Sequence, residues 1–286
     1  MAGDAQKRTT IVGCGYVGSA LALLLAGQGH AVWGVRRSLQ PEAKGVRYLS
    51  ADVSRPDTLR WPEALDHLVY AVSADASTED AYRAAYVDGL RNVLQSLAVQ
   101  GQSPRIVFVS STGVYHQDNG EQLNEGSPTE PARFSGRLLL EGEALLQDHA
   151  AASVIMRFSG IYGPGRDRLI ESVRNGSARL VRGSTAVLNH IHRDDCAGAL
   201  AHVLGMESPA PLYLGTDSEP AYKNDLLRWI AKQLGVSTPP EVEAEIKGGI
   251  HRGGHRFYDN ACLMDSGYRF LYPTYREGYG ALLAQG

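Results

Sequence analysis

Residues 11–21 read IVGCGYVGSAL. A short β-type run leads into three glycines, Gly13, Gly15 and Gly18, and an apolar helical pattern follows and ends at Gly27 or Gly29. In a strand–turn–helix of this spacing one glycine makes the tight turn, one lets a backbone approach a pyrophosphate, and one lets helix pack on strand. The free N–H groups and positive dipole end of the helix then face the phosphates. The stretch predicts a dinucleotide site built from Gly13, Cys14, Gly15, Tyr16, Val17 and Gly18. Cys14 is read as a small residue filling the turn, with a thiolate favoured by the helix N-terminus as the alternative.

Further strands follow as AVWGV (31–35), VRYLSAD (46–52), HLVYAV (67–72), RIVFVSS (105–111) and SVIMRF (153–158). A helix is predicted over Asp80–Val99, where Ala85, Leu90, Val93, Leu94 and Leu97 approximate helical spacing. Near-continuous apolar strands alternating with helices imply a parallel sheet covered on both faces, the α/β doubly wound Rossmann arrangement. After Arg157 the texture turns to Gly, Pro and Arg, and aromatics cluster late. The expected organisation is a Rossmann domain over 1–160 with return segments at about 186–218, including LYLGT (212–216), and a small substrate-binding region over 161–286.

The second strand ends in Gly34-Val35-Arg36-Arg37, where an NAD-preferring site places an acidic residue. Arginine pairs with a 2′-phosphate by charge-assisted bonds, so NADP is favoured over NAD; solvated loop arginines are the other reading. Asp52 and Val53, after the third strand, would flank the adenine. Ala71 and Ser110, near the ends of the fourth and fifth strands, complete the cofactor candidates.

The chain has 286 residues, 43% hydrophobic and 21% charged, with a net charge of −3. That balance offers no electrostatic case for nucleic acid or an anionic membrane surface. No apolar run approaches the roughly 20 residues of a membrane span. The N-terminus runs straight into a strand without a signal-like segment, so a cytoplasmic protein is expected. Cys14, Cys196 and Cys262 are too scattered for a disulfide framework or a cysteine zinc site. Residues 189–195, NHIHRDD, hold two His and two Asp. No further ligands are spaced to close a metal site, and Asp194 or Asp195 is expected to N-cap the following helix.

SSTGVY (110–115), MRFSGIYGPG (156–165), NHIHRDD (189–195), YLGT (213–216), the helix near 225–234 and GYRFLYPTYREGY (267–279) occur in an order that resembles the extended short-chain dehydrogenase/reductases, the NAD-dependent epimerase/dehydratase group. The resemblance covers nearly the whole chain. It implies a Rossmann domain with a small C-terminal substrate domain, hydride exchange with a nicotinamide, and a homodimer through the helices around 80–99 and 135–149. It also implies a Ser/Thr after the fifth strand, met here by Ser111 with Thr112 beside it, and a Tyr/Lys pair on the next helix.

That pair is missing. RFSGRLLLEGE (133–143) puts Ser135 at the tyrosine position and Leu139 at the lysine position. Tyr86 falls where the family pattern has asparagine, and the GxGxxG spacing differs from the commoner GxxGxxG. Tyr115, Tyr162 or Tyr86 could serve as relocated acid/base, although tyrosines of such a fold often only pack. His116 is a further titratable candidate beside Tyr115. Arg133, Arg137 and Glu141 share a helix face. They form either a solvated salt-bridged stripe or, through Arg137, a contact to an anionic substrate group.

Ser159, Tyr162, Arg137, His192 and Arg256 are the substrate candidates, with Asn260 near them. GGIHRGGHRF (248–257) is read as a lid or a mobile loop. The expected activity is that of an atypical NAD(P)-dependent oxidoreductase acting on a small polar or sugar-nucleotide-like substrate. The alternative is a catalytically silent NADP(H)-binding sensor that kept the fold and lost the dyad.

Overall fold

The computed structural model describes residues 6–38, 41, 44–149, 152–243 and 254–284. In chain order the elements are β1 (Arg8–Val12), α1 (Tyr16–Gly27), β2 (Ala31–Arg36), β3 (Val46–Ser50), β4 (His67–Tyr70), α2 (Glu79–Arg83), α3 (Gly89–Val99), β5 (Arg105–Ser111), β6 (Glu121–Leu123), α4 (Phe134–His149) and β7 (Ser153–Phe158). They continue as β8 (Gly160–Tyr162), α5 (Arg168–Arg174), β9 (Leu180–Val181), β10 (Val187–Leu188), β11 (His190–His192), α6 (Arg193–Gly205) and β12 (Leu212–Gly215). The last are β13 (Ala221–Tyr222), α7 (Lys223–Leu234), β14 (Glu241–Val242), β15 (Arg256–Tyr258), α8 (Ala261–Asp265) and α9 (Tyr275–Leu283).

Two compact units result: residues 1–116, 128–158 and 196–213, and residues 117–127, 159–195 and 214–286. The first is organised on a seven-stranded sheet of order β12-β7-β5-β4-β1-β2-β3. The pairs from β7 through β3 are parallel. All four residues of β4 are buried, as are Ile11, Val12, Val107 and Phe108. This explains why the strands read as unbroken apolar runs: both faces lie under helices. Strand order reverses between β1 and β4, which creates the switch-point crevice where such sheets bind nucleotides. Leu212–Gly215 of LYLGT joins this sheet as β12, the return segment expected there.

The helix predicted over Asp80–Val99 is interrupted. Residues Ala84–Asp88 form a π-helical turn between α2 and α3. Two side contacts account for the widened turn. The Tyr70 hydroxyl donates to the Ala85 carbonyl at 2.5 Å. Gly142 of α4 lies so close to the Tyr86 carbonyl that a Cβ there would come within 2.4 Å of its oxygen. Such turns recur at functional sites.

The second unit has its own core of Tyr162, Ile170, Val173, Leu180, Leu226, Ile230, Tyr275 and Tyr279. Thr274 and Glu277 cap α9 reciprocally, which satisfies two of its orphan N–H groups. Helix α6 begins at Arg193, so Asp194 and Asp195 lie in its first turn rather than preceding it. Asp195 is fully buried. It accepts from the Tyr268 hydroxyl and from the Leu271 and Tyr272 amides at 2.8, 2.6 and 2.9 Å. The expected N-cap role gives way to anchoring the segment before α9 through its backbone amides. Residues 248–253 of the expected lid lie outside the described residues.

Candidate functional site

The Gly-rich turn of the first unit is closely packed against the segment after β4 beside it. Gly13 has φ +85°, and a Cβ on it would lie 2.5 Å from the Val72 nitrogen and 2.6 Å from the Ala71 carbonyl. At Gly18 a Cβ would lie 2.6 Å from the Gly13 oxygen and 3.1 Å from Ile11. Gly15 is the N-cap of α1, with no side-chain cap and no acidic residue in the first turn. The helix therefore presents open N–H groups to an anion. A side chain at Gly13 or Gly18 would displace backbone, so this is a tightly packed turn and not merely a flexible one.

Tyr16 and Val17 open the helix, with Val17 in the core. Cys14 is buried, and burial pushes its thiol up against smaller opposing effects of the Ser19 hydrogen bond and the Arg36 charge. The thiolate alternative loses to packing at this position.

Arg36 and Arg37 part company. Arg36 ends β2, half-buried, and makes no ion pair among the described residues. Arg37 is exposed and forms a bidentate pair with Asp75, Nη1–Oδ2 at 2.5 Å and Nη2–Oδ1 at 2.7 Å. Asp52 accepts from the Ser54 amide and hydroxyl at 2.9 and 2.8 Å, which holds its carboxyl below the usual range. The Val53 carbonyl accepts from Asn92 of α3 at 2.8 Å. The turn after β3 is thus held in place by a helix that packs behind it. Tyr86, on the π turn, is hydrogen-bonded by Ser73 and by the Ala74 backbone, while burial raises its pKa. It therefore braces the segment after β4 that closes on Gly13.

At the end of β5, Ser111 accepts from the Gly113 amide at 3.1 Å and caps the short 3₁₀ turn Thr112–Val114. Its hydroxyl proton has no acceptor among the described residues. Thr112 is buried and His116 exposed. Ser110 belongs to a buried network invisible in the sequence analysis. Its hydroxyl donates to Glu143 of α4 at 2.5 Å. Glu143 takes Arg157 of β7 bidentately, at 3.0 and 2.6 Å. Arg157 also donates to the Tyr115 hydroxyl at 2.8 Å, its guanidinium carbon 5.2 Å from the centre of that ring. Ser110, Tyr115, Glu143 and Arg157 are 3 to 6% exposed. Burial opposes the charge on Arg157, and Glu143 more than restores it, so the pKa is raised overall.

The missed signal was a charged residue on each of two apolar surfaces. Glu143 follows Leu139 by one turn on α4, and Arg157 interrupts SVIMRF. Leu139 is itself buried in the core. The stripe Arg133–Arg137–Glu141 does not pair internally: Glu141 bonds Arg83 of α2 at 2.9 Å. Arg137 is exposed, with the Ala132 carbonyl 3.5 Å away.

The other substrate candidates belong to the second unit. Ser159 is buried, its hydroxyl without a partner. Tyr162 stacks on Tyr279 with ring centres 4.3 Å apart and meets the edges of His190 and His192. Its hydroxyl is buried and unpartnered. A Cβ on Gly278 would overlap that hydroxyl oxygen at 1.7 Å. Tyr162 is thus a core residue of this unit. His192 accepts from the Asp194 amide at 3.2 Å, and burial lowers its pKa. Arg256 lies on β15 and donates to the Gln117 carbonyl at 2.5 Å. Asn260 donates to the Thr216 carbonyl at 2.9 Å. Among the described residues no three His, Cys, Asp or Glu side chains group to hold a metal ion, and no helix is long and apolar enough to cross a membrane.

The model of the NAD-dependent epimerase/dehydratase family matches residues 10–213. A solved protein of Methylobacillus flagellatus assigned to those enzymes is 40% identical, with a TM-score of 0.79 over 98% of this chain and 99% of that one. Protein YeeZ of Escherichia coli strain K12 is 28% identical over 285 residues, 94% of this chain and 97% of that protein. The 2-alkyl-3-oxoalkanoate reductase of Stenotrophomonas maltophilia strain K279a is 27% identical over 258 residues, 82% of this chain and 76% of that protein.

Proposed function

The chain belongs to the NAD-dependent epimerase/dehydratase family, and on that premise we propose that it exchanges hydride between NADP(H) and an oxygen-bearing carbon of a small polar or sugar-nucleotide-like substrate. It is an NAD(P)-dependent oxidoreductase of the epimerase/dehydratase type. The cradle of Gly13 and Gly18, too tight for any side chain, is the observation that carries the cofactor reading. The α1 N-terminus would take the pyrophosphate, Asp52 and Val53 the adenine side, and Arg36 the 2′-phosphate. The bound nicotinamide supplies the hydride acceptor or donor.

The chain's own part is to hold and move a proton. Ser111 already accepts from Gly113, so its own O–H can donate to the substrate oxygen. Tyr115 takes the proton-transfer role that Ser135 cannot fill. A guanidinium can only donate, so the Tyr115 oxygen is the acceptor from Arg157 and its own proton lies on another side. When that proton leaves, Arg157 stabilises the negative oxygen, which is the task of the cation missing at Leu139. The relative from Stenotrophomonas maltophilia is named a reductase, which supports carbonyl reduction as the chemical step. The family resemblance supports a homodimer.

The test is a fluorescence titration with NADPH and NADH of the protein and of Arg36→Ala. Loss of charge-assisted bonds to a phosphate weakens NADPH by roughly ten- to a hundredfold and leaves NADH within about twofold. Equal affinity for both nucleotides in the unaltered protein would remove the NADP preference. Binding of neither would remove the cofactor reading altogether.

A further inference from the structure

The Arg37–Asp75 pair joins the segment after β2 to the segment after β4, and β1 lies between those two strands in the sheet. Neighbouring strands stand about 4.8 Å apart, so the pair reaches across roughly 10 Å at the carboxyl end of β1, where the Gly-rich turn stands. Asp75 is also tied to the cradle along the chain. It follows Ala71 and Val72, whose backbone closes on Gly13. The hydrogen bond from Arg37 holds the Asp75 carboxyl below its usual range, so it stays charged at neutral pH.

We propose that Asp75 moderates the preference for NADPH by competing with the ribose 2′-phosphate for Arg37. This rests on the cofactor reading above. Carboxylate and phosphate offer a guanidinium the same two-oxygen fork, and only one can hold it at a time. The two side chains are 64% and 65% exposed. A pair in that setting is held weakly and yields to a phosphate of higher charge. NADPH must break the pair to gain Arg37. NADH gains nothing from Arg37 and leaves the pair closed. Asp75 therefore lowers the affinity for NADPH alone, and Arg36, which has no ion pair among the described residues, carries the basal preference.

The experiment titrates NADPH and NADH into the unaltered protein, Asp75→Asn, Arg37→Ala and the double variant. Both positions are exposed, so the fold is unaffected. Asp75→Asn tightens NADPH by about two- to fivefold, the range an exposed pair allows, and leaves NADH unchanged within error. The gain disappears in the Arg37→Ala background. Equal tightening of both nucleotides makes the pair a plain obstruction and overturns the proposal, as does an unchanged or weaker NADPH affinity in Asp75→Asn. If the unaltered protein binds NADPH while Asp75→Asn behaves identically, only the role of Asp75 falls. If it binds neither nucleotide, the cofactor reading falls and takes this inference with it.

Discussion

Glu143→Gln destabilises the first unit by about 3–5 kcal/mol in urea unfolding at pH 7, the range for stripping one partner from a buried ion pair. Glu143 accepts two bonds from Arg157 and one from Ser110, inside a site where every member is nearly out of water. The neutral amide keeps the shape but leaves the guanidinium without its counter-charge. It also presents an N–H₂ toward a group that can only donate. A second variant separates charge from packing. Glu143→Leu combined with Arg157→Met removes both charges and recovers much of the loss, because an apolar pair of similar volume has no desolvation penalty. Turnover behaves differently. The double variant stays inactive, because the Tyr115 oxygen has lost its cation. A Glu143→Gln protein within about 1 kcal/mol of the unaltered one would show that water reaches the pair. A double variant that retains full turnover would sink the role of Arg157 in stabilising the Tyr115 oxygen.

The contrast between the Gly-rich turn and this network shows what sequence can disclose. Gly13 and Gly18 are constrained by atoms a few residues away or one strand over. The local spacing of strand, glycines and helix therefore carried nearly all the information about the turn. The sheet was legible for a related reason, since burial on both faces leaves continuous apolar runs. Glu143 and Arg157 stand 14 residues apart on different elements. Nothing local distinguishes Glu143 from Glu141, yet one is buried with Arg157 and the other pairs with Arg83 at the surface. The usable clue was position: Glu143 shares the buried face of α4 with Leu139 and Leu146. A charge on an apolar face requires a partner. The π turn was hidden as well, because it depends on Tyr70 and Gly142, which meet Ala85 and Tyr86 only after the sheet and helices have assembled.

Asp217→Asn, in the second unit, is expected to stabilise the protein at pH 7–8, and by less and less as the pH falls. Asp217 is 2% exposed, and one of its oxygens has no partner. Burial pushes its carboxyl up to about 8 from an ordinary 3.8, with the Glu219, Asp195 and Glu277 charges adding to the rise and the Glu219 amide opposing it. Folded Asp217 therefore keeps a proton that the unfolded chain releases above about pH 4. Where the folded state binds more protons, stability falls as pH rises. The contribution is intact below about pH 4, declines between about 4 and 8, and is flat above. A shift of this size corresponds to an upper limit of roughly 4 kcal/mol at pH 7, at 1.36 kcal/mol per unit. Relaxation of the site reduces the measurable gain to about 1–3 kcal/mol. Buried His190 slopes the opposite way, because burial lowers its pKa to about 4 and protonation favours the unfolded chain below about 6.5. His190 is present in both proteins and cancels in the difference. Urea unfolding of the two proteins at pH 5 and pH 8 reads that difference directly. A gap that widens toward pH 8 supports a proton held on Asp217. Parallel profiles would mean that the carboxylate is charged in the folded protein and satisfied there.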